Sequence, residues 1–366
     1  MPKTLNTAKK EKNGEFYTQY SDIQREINAY LEYNPDVFRD KTILLPCDDP
    51  EWSNFTKFFA QNFENFWLKK LISTSYANES KTFKPDYQPT LFETENPKFD
   101  KEKTNIKWKI FTLTHDTNQN WKIDVDDLER EYLEWDWDFR SEEVKKLRDE
   151  ADIIITNPPF SLFREFISWI IWAKKDFVVI WNQNTIPVKQ IFSLIKNYKM
   201  WLWNWFNAGN AYFRIDKKFA WDYAKWVYDE NTWLVKFRNC CRYTNLDHGR
   251  RHQPLWLMTM SDNIKFSKHK EINGVWYLHY EDYDAIDVPY TDAIPSDYKW
   301  IMWVPISFMD KYNPDQFEIL DCDEPCIDLN ELKKRPNFKE YKSRQLRYND
   351  KICQKTYHRI FIRHKK

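Results

Sequence analysis

Glycine is close to missing from this chain. There are 4 among 366 residues, where average usage is roughly 7%. The 19 tryptophans raise the two residue types together to about what glycine alone ordinarily supplies. Several tryptophans stand where a backbone turn wants glycine. Trp121 follows Asn120 in "NQNWK", the place of glycine in an Asn-Gly turn. Trp135 and Trp137 flank Asp136, Trp203 and Trp205 flank Asn204, Trp181 ends an apolar run, and Trp300 and Trp303 follow a Pro-Ser-Asp turn. The pattern predicts that UGA codons meaning glycine in the source are written here as tryptophan. The competing reading is an aromatic-rich protein.

Other absences narrow the class. No run of eighteen uninterrupted apolar residues exists, since Lys174, Lys175 and Asp176 cut the richest stretch, "FISWIIWAKKDFVVIW". No transmembrane helix and no membrane partner are therefore expected. The start, "MPKTLNTAKKEKNGE", has no apolar core and reads as a flexible lead (1–14) and not as a secretory signal. The six cysteines lack the spacing of a disulfide scaffold or a zinc ribbon, even at Cys322 and Cys326, which points to a cytoplasmic protein with reduced thiols and no metal. Formal net charge is zero, so the overall balance does not mark a nucleic-acid binder. The charge is nevertheless uneven. From Lys333 to Lys366 there are thirteen Lys and Arg against Glu340 and Asp350. "TYHRIFIRHKK" alternates like a strand, which predicts an ordered basic edge and not a loose tail.

What is present is an alternation of strand and helix patterns. "KTILLP", "LKKLISTSY", "DIIITNPPF" and "DFVVIW" read as strands; "YSDIQREINAYLEYN", "TKFFAQNF", "SEEVKKLRDEA" and "LFREFISWIIWA" read as helices. "IKWKIFTLTHD" and "WKIDVDDLE" read as a hairpin turning near Asn120. "DIIIT" is apolar without alternation, as in the middle of a parallel sheet. The expected class is α/β: a doubly wound, mostly parallel sheet over 15–260, then a smaller irregular module over 261–366. "DTNQNWKIDVDD" (116–127) also spaces oxygen ligands like a calcium loop. Trp121 stands at its glycine position, and a polar hairpin turn is the favoured reading.

The chemistry concentrates at one strand end. Asn157 follows the apolar strand, then Pro158, Pro159 and Phe160. The prolines stiffen the turn and bring no N–H, so its carbonyls stay available as acceptors. An amide oxygen, a backbone acceptor and an aromatic face within four residues suit a planar ring bearing an exocyclic amine. A strand-end position in an open α/β sheet is where ligands bind. The plainer reading is a rigid strand-to-helix turn.

This Asn-Pro-Pro-Phe loop resembles that of S-adenosylmethionine-dependent amino-methyltransferases. Its wider setting resembles the EcoRI-type adenine-N6 DNA methyltransferases, through "EFYTQYSDI", "CDDPEWSNF", "LKKLISTSYA", "DFRSEEVKKLRDEADIIITNPPFSLFREFI", "RYTNLDH", "PLWLMTM" and "DAIPSDYKWIMWVPISFMDKYNPDQFEIL", in that order along most of the chain. The resemblance implies that Phe16, Tyr17 and Thr18 pack against the methionine part of S-adenosylmethionine. Cys47, Asp48 and Asp49 would meet its amino-acid end, and Asp138 and Phe139 its adenine. Asn157, Pro158, Pro159 and Phe160 would hold a target adenine flipped out of duplex DNA. The first loop has no Gly-x-Gly, and its two aspartates suit a cationic amino group and disfavour a phosphate. Arg238, Arg242, Arg250 and Arg251, with His252, form a candidate DNA-contacting cluster. The resemblance further implies a restriction-modification role, a cognate endonuclease acting on the same site, and a monomeric enzyme. An RNA or protein amino-methyltransferase, or a DNA-binding protein with an inactive site, remains the alternative.

Overall fold

The computed structural model describes residues 17–48, 53–74, 108–123, 125–133, 139–158, 163–203, 210–214, 227–229, 231–232, 234–238, 240–279, 285–322, 345–348, 351–354 and 359–365. They belong to two compact units. The first comprises 1–183 and 203–247, the second 184–202 and 248–366. The segment after Asp247 belongs to the second unit.

In the first unit, β1 (Tyr17–Thr18) leads into α1 (Tyr20–Tyr33). This helix buries Ile23, Glu26, Ile27 and Tyr30, a three-and-four spacing that presents one face to the core. Then follow β2 (Thr42–Leu45), α2 (Asn54–Gln61), β3 (Lys70–Thr74), β4 (Trp108–Leu113), β5 (Glu129–Leu133), α3 (Glu142–Glu150), β6 (Ile153–Thr156), α4 (Phe163–Trp172) and β7 (Asp176–Asn182). Every residue of β2 and β6 is buried, so both sheet faces are covered there. Ser141 caps α3 by accepting from the Val144 N–H at 3.3 Å, with Glu142 and Glu143 in the first turn, as its sequence predicts.

After α5 (Lys189–Lys196), which belongs to the second unit, come β8 (Trp201–Trp203), β9 (Asn210–Arg214), β10 (Tyr228–Asp229), β11 (Leu234–Arg238) and β12 (Cys240–Thr244). The large sheet has eight strands in the order β5-β4-β3-β2-β6-β7-β12-β8. Its middle is parallel: β2 pairs with both β3 and β6, and β6 with β7. Antiparallel pairings, β3 with β4, β4 with β5, and β7 with β12, flank that middle. The architecture is thus mixed α/β around a large central sheet with a parallel core. β4 and β5 pair as a hairpin, but β5 is not the second strand expected over 121–129: Val125–Asp127 make a 3-10 turn and β5 runs Glu129–Leu133. A smaller sheet, β1-β9-β11-β10, draws Tyr17 and Thr18 against Arg214 and Phe213.

The second unit also contains α6 (Met260–Phe266), β13 (Ile286–Asp287), β14 (Met302–Pro305), β15 (Phe317–Cys322), the hairpin β16 (Gln345–Tyr348) with β17 (Lys351–Gln354), and β18 (Arg359–His364). A four-stranded sheet runs β13-β14-β18-β15. The strand predicted at the basic C-terminal end is therefore real, but it lies inside a sheet and is no edge. Ile360, Phe361 and Ile362 are buried, Arg359 pairs with Asp287 at 2.5 Å, and Arg363 pairs with Glu318 at 2.6 Å.

Candidate active site

Two adjacent parallel strands end side by side. In register, Ile43 and Leu44 of β2 face Ile153 and Ile154 of β6. From β2 the sheet proceeds to β3 on one side, and from β6 to β7 on the other. Where a parallel sheet reverses its order in this way, the strand ends leave a crevice. Cys47 and Asp48 follow β2 there; Asn157 and Pro158 follow β6.

The β2 side is tightly braced. Asp48 is 8% exposed, and its Oδ1 accepts from Ser53 Oγ at 3.1 Å. Ser53 is also the cap of α2, accepting from the Phe55 N–H at 3.1 Å. Ser73 Oγ donates to the Asp48 carbonyl at 3.1 Å and lies 2.7 Å from Thr56 Oγ1. Thr74 Oγ1 donates to the Pro46 carbonyl at 3.1 Å. Hydroxyls from β3 and α2 therefore fix both the backbone and the carboxylate of this loop. Asn54 Nδ2 donates to the Thr18 carbonyl at 2.7 Å, and Gln19 Nε2 to the Tyr212 carbonyl at 3.0 Å. The structure thereby brings Thr18 and Asp48, far apart in sequence, to one helix start. Ser53 had a legible signal, a Ser-Asn before an apolar run. Ser73 had none, because it sits inside a buried strand.

On the β6 side, Thr156 and Pro158 are buried and Asn157 is half-buried. Phe16, Asp49, Asp138, Pro159 and Phe160 lie outside the described residues, as do the side chains of Tyr17 and Arg238. Phe139 is 2% exposed and packs edge-on against Phe166 at 5.2 Å and Trp169 at 5.7 Å. Trp181 stacks on Phe163 with centroids 4.4 Å apart.

The arginines divide. Arg242 belongs to the interior of the first unit: it is fully buried and ion-paired with Glu26 of α1, and its guanidinium donates to the Asp22 carbonyl at 3.3 Å. That burial removes it from any phosphate-contacting surface. Burial pushes the Glu26 carboxyl up to about 7, opposed by Arg242. In the second unit, Arg250 and Arg251 share a 3-10 turn, Gly249–His252. The Arg251 guanidinium lies 3.8 Å from the Trp201 ring centroid. A small recess there is lined by Trp201, His248, Arg250, Arg251, Asp310 and Tyr312. Burial raises the Asp310 carboxyl to about 6, against the pull of Arg250 and Lys311.

The candidate calcium loop is a hairpin tip whose oxygens turn inward. Asp127 Oδ1 accepts from the Thr117 N–H at 2.8 Å and the Asn118 N–H at 3.1 Å. Asp116 accepts from the Asn120 and Trp121 N–H groups at 3.2 and 2.8 Å.

An acidic loop and an amide-bearing turn on neighbouring parallel strands are consistent with a methyltransferase fold. The comparison of sequences carries this further. The profile of the family described as "Adenine-specific methyltransferase EcoRI" matches residues 4–365. The chain belongs to that family of adenine-specific DNA methyltransferases. It is 37% identical over 319 residues to the Type II methyltransferase M.EcoRI of Escherichia coli, covering 87% of this chain and 88% of that one. It is 30% identical over 333 residues to the Type II methyltransferase M.MpnI of Mycoplasma pneumoniae, covering 90% and 89%. With the Type II methyltransferase M.MgeORF184P of Mycoplasma genitalium it shares 31% identity over 337 residues, covering 90% and 89%. No solved structure matches the chain.

Proposed function

We propose that this enzyme transfers the methyl group of S-adenosylmethionine to the N6 amine of an adenine flipped out of duplex DNA, as the modification half of a restriction-modification pair. The observation that carries this is the braced Asp48 beside Asn157 at the reversal between β2 and β6, read as the crevice of a doubly wound sheet. A carboxylate held by Ser53 in a nearly buried loop suits the cationic ammonium of the donor's amino-acid end. The donor supplies an electrophilic methyl on sulfonium. Asp48 would meet its ammonium, and on the family resemblance Phe16, Tyr17, Thr18, Cys47, Asp49 and Asp138 would hold the rest.

Asn157 Oδ1 and the Pro158 carbonyl would accept the two hydrogens of the exocyclic amine and aim its lone pair, with Phe160 stacking on the base. The nucleophile is neutral, so positioning and not a strong base lowers the barrier. Extrusion of the base is required because the amine is unreachable inside the stack. Arg250 and Arg251 would contact phosphates. The enzyme would work as a cytoplasmic monomer, with a cognate endonuclease cutting the same site. No described helix is long and apolar enough to cross a membrane.

The test is N6-methyladenine formed in mixed-sequence duplex DNA with S-adenosylmethionine, measured by nucleoside mass spectrometry beside Asn157→Ala. Methyladenine that disappears in the variant is the expected result. Binding of DNA with no methyladenine from the parent chain would overturn the proposal in favour of an inactive binding protein. Methylation of RNA or protein alone would move it to those amines.

A further inference from the structure

We infer that Trp67 and Trp121 are glycine in the protein its own cell makes, with UGA as the codon behind both. The inference is independent of the catalytic reading above and rests on backbone geometry.

Six described residues other than glycine have a positive φ, and the two bulkiest are Trp67 at 53° and Trp121 at 67°, in the left-handed region that an L residue with a Cβ occupies only under strain. Each position is also one that structure assigns to glycine. After α2 the chain makes a further turn in which the Trp67 N–H donates to the Glu64 carbonyl at 3.0 Å and the Leu68 N–H to the Phe63 carbonyl at 3.0 Å. That pair of bonds is the left-handed helix stop whose C′ residue, here Trp67, is most often glycine, although Lys174 and Tyr198 fill the same place after two other helices. Trp67 cannot leave this conformation cheaply, because its carbonyl accepts from the Asp40 N–H at 2.8 Å. Trp121 sits at the tip of the β4–β5 hairpin. Its N–H is held by Asp116, and the flanking Asn120 and Lys122 N–H groups are held by Asp116 and Asn120, which fixes the turn from both sides.

The indoles do nothing that would offset the strain. Trp121 is 96% exposed and Trp67 63% exposed, the latter with the Arg39 guanidinium 5.1 Å from its ring. Tryptophan is a residue whose large apolar area is normally put to use in a core or an interface. Other tryptophans of this chain behave that way: Trp303 is buried and stacked on Phe361, and Trp169 packs on Phe139 and Phe166. Neither has a positive φ. The tryptophans therefore fall into two populations, one packed and one displayed. The displayed group continues with Trp172, Trp256, Trp276 and Trp300. The shortage of glycine, 4 residues against 19 tryptophans, is what a glycine codon written as tryptophan would leave behind. Trp181, Trp203 and Trp303 are buried with φ outside the left-handed region, so the geometric argument does not reach them. Trp135, Trp137 and Trp205 lie outside the described residues.

The codons and the natural protein test this directly. UGA at positions 67 and 121 of the gene is expected, together with glycine masses in the tryptic peptides 58–69 and 110–122 of protein taken from its source cells. UGG at either position, or a tryptophan mass in either peptide, overturns the inference there. A recombinant pair gives an independent readout. Trp67→Gly and Trp121→Gly should each raise the melting temperature, by about 1–3 °C for a chain of this size, while Trp303→Gly should lower it. A fall in both of the first two variants would overturn the backbone argument.

Discussion

Asp48 and Asn157 make opposite demands on their surroundings, and each can be tested by one substitution. The Asp48 carboxylate has Ser53 as a neighbour and little water. Asp48→Asn keeps the shape and removes the charge. The Michaelis constant for the methyl donor should rise about tenfold or more, the worth of one charge-assisted hydrogen bond, with a smaller change in kcat. Ser53→Ala loosens the same carboxylate and uncaps α2, so it should cost about 1 kcal/mol of stability and raise the donor constant as well. A stability loss with unchanged donor kinetics would reduce Ser53 to a cap. Asn157→Ala acts on the acceptor side. It should lower kcat about 10²–10³-fold, as for other removed positioning groups, while thermal unfolding stays near that of the parent.

The decisive contact between elements is the Glu26–Arg242 pair joining α1 to β12. Both side chains are fully buried. Removing one partner strands a charge in the core, so Arg242→Met should destabilise by about 3–5 kcal/mol, seen in denaturant unfolding. The pH dependence has a definite sign. The folded Glu26 carboxyl stands at about 7, above the 4.5 of an unperturbed one. Its contribution is therefore fully present below about 4.5 and is lost as pH rises through about 7. Melting curves of the parent and Glu26→Gln should differ by an amount that changes across this window; a constant difference would show that Glu26 does not titrate there. This pair also marks how far the sequence could be read. The apolar runs of β2 and β6, the capped α3 and the Asn-Pro-Pro turn carry local signals, and the structure has the strands and helices they announce. A buried arginine carries none: "CCRYTN" reads the same whether Arg242 meets water or a carboxylate on a helix far earlier in the chain. The same limit explains Phe139, whose burial depends on α4, and the basic end, whose arginines find Asp287 and Glu318 only once β18 pairs.

At the scale of the whole molecule, binding to DNA is the property to measure, because the net charge of zero gives no long-range attraction and leaves local clusters to supply it. Arg250→Ala and Arg251→Ala should each make the slope of log affinity against log salt shallower by about 1, whereas a conservative change at Arg242 should leave the slope alone. Equal slopes for all of these would remove Arg250 and Arg251 from the phosphate contacts. The Glu26–Arg242 contact has one more consequence, in time. Arg242 also reaches the carbonyl of Asp22, 220 residues earlier in the chain. On the ribosome α1 is made well before its counter-ion, which follows only after every parallel strand of the large sheet. A nascent chain stalled before Arg242 leaves the exit tunnel should still be open to protease at α1, and one stalled well beyond it should be closed. The first described helix is thus sealed only after the parallel core of the large sheet has been made.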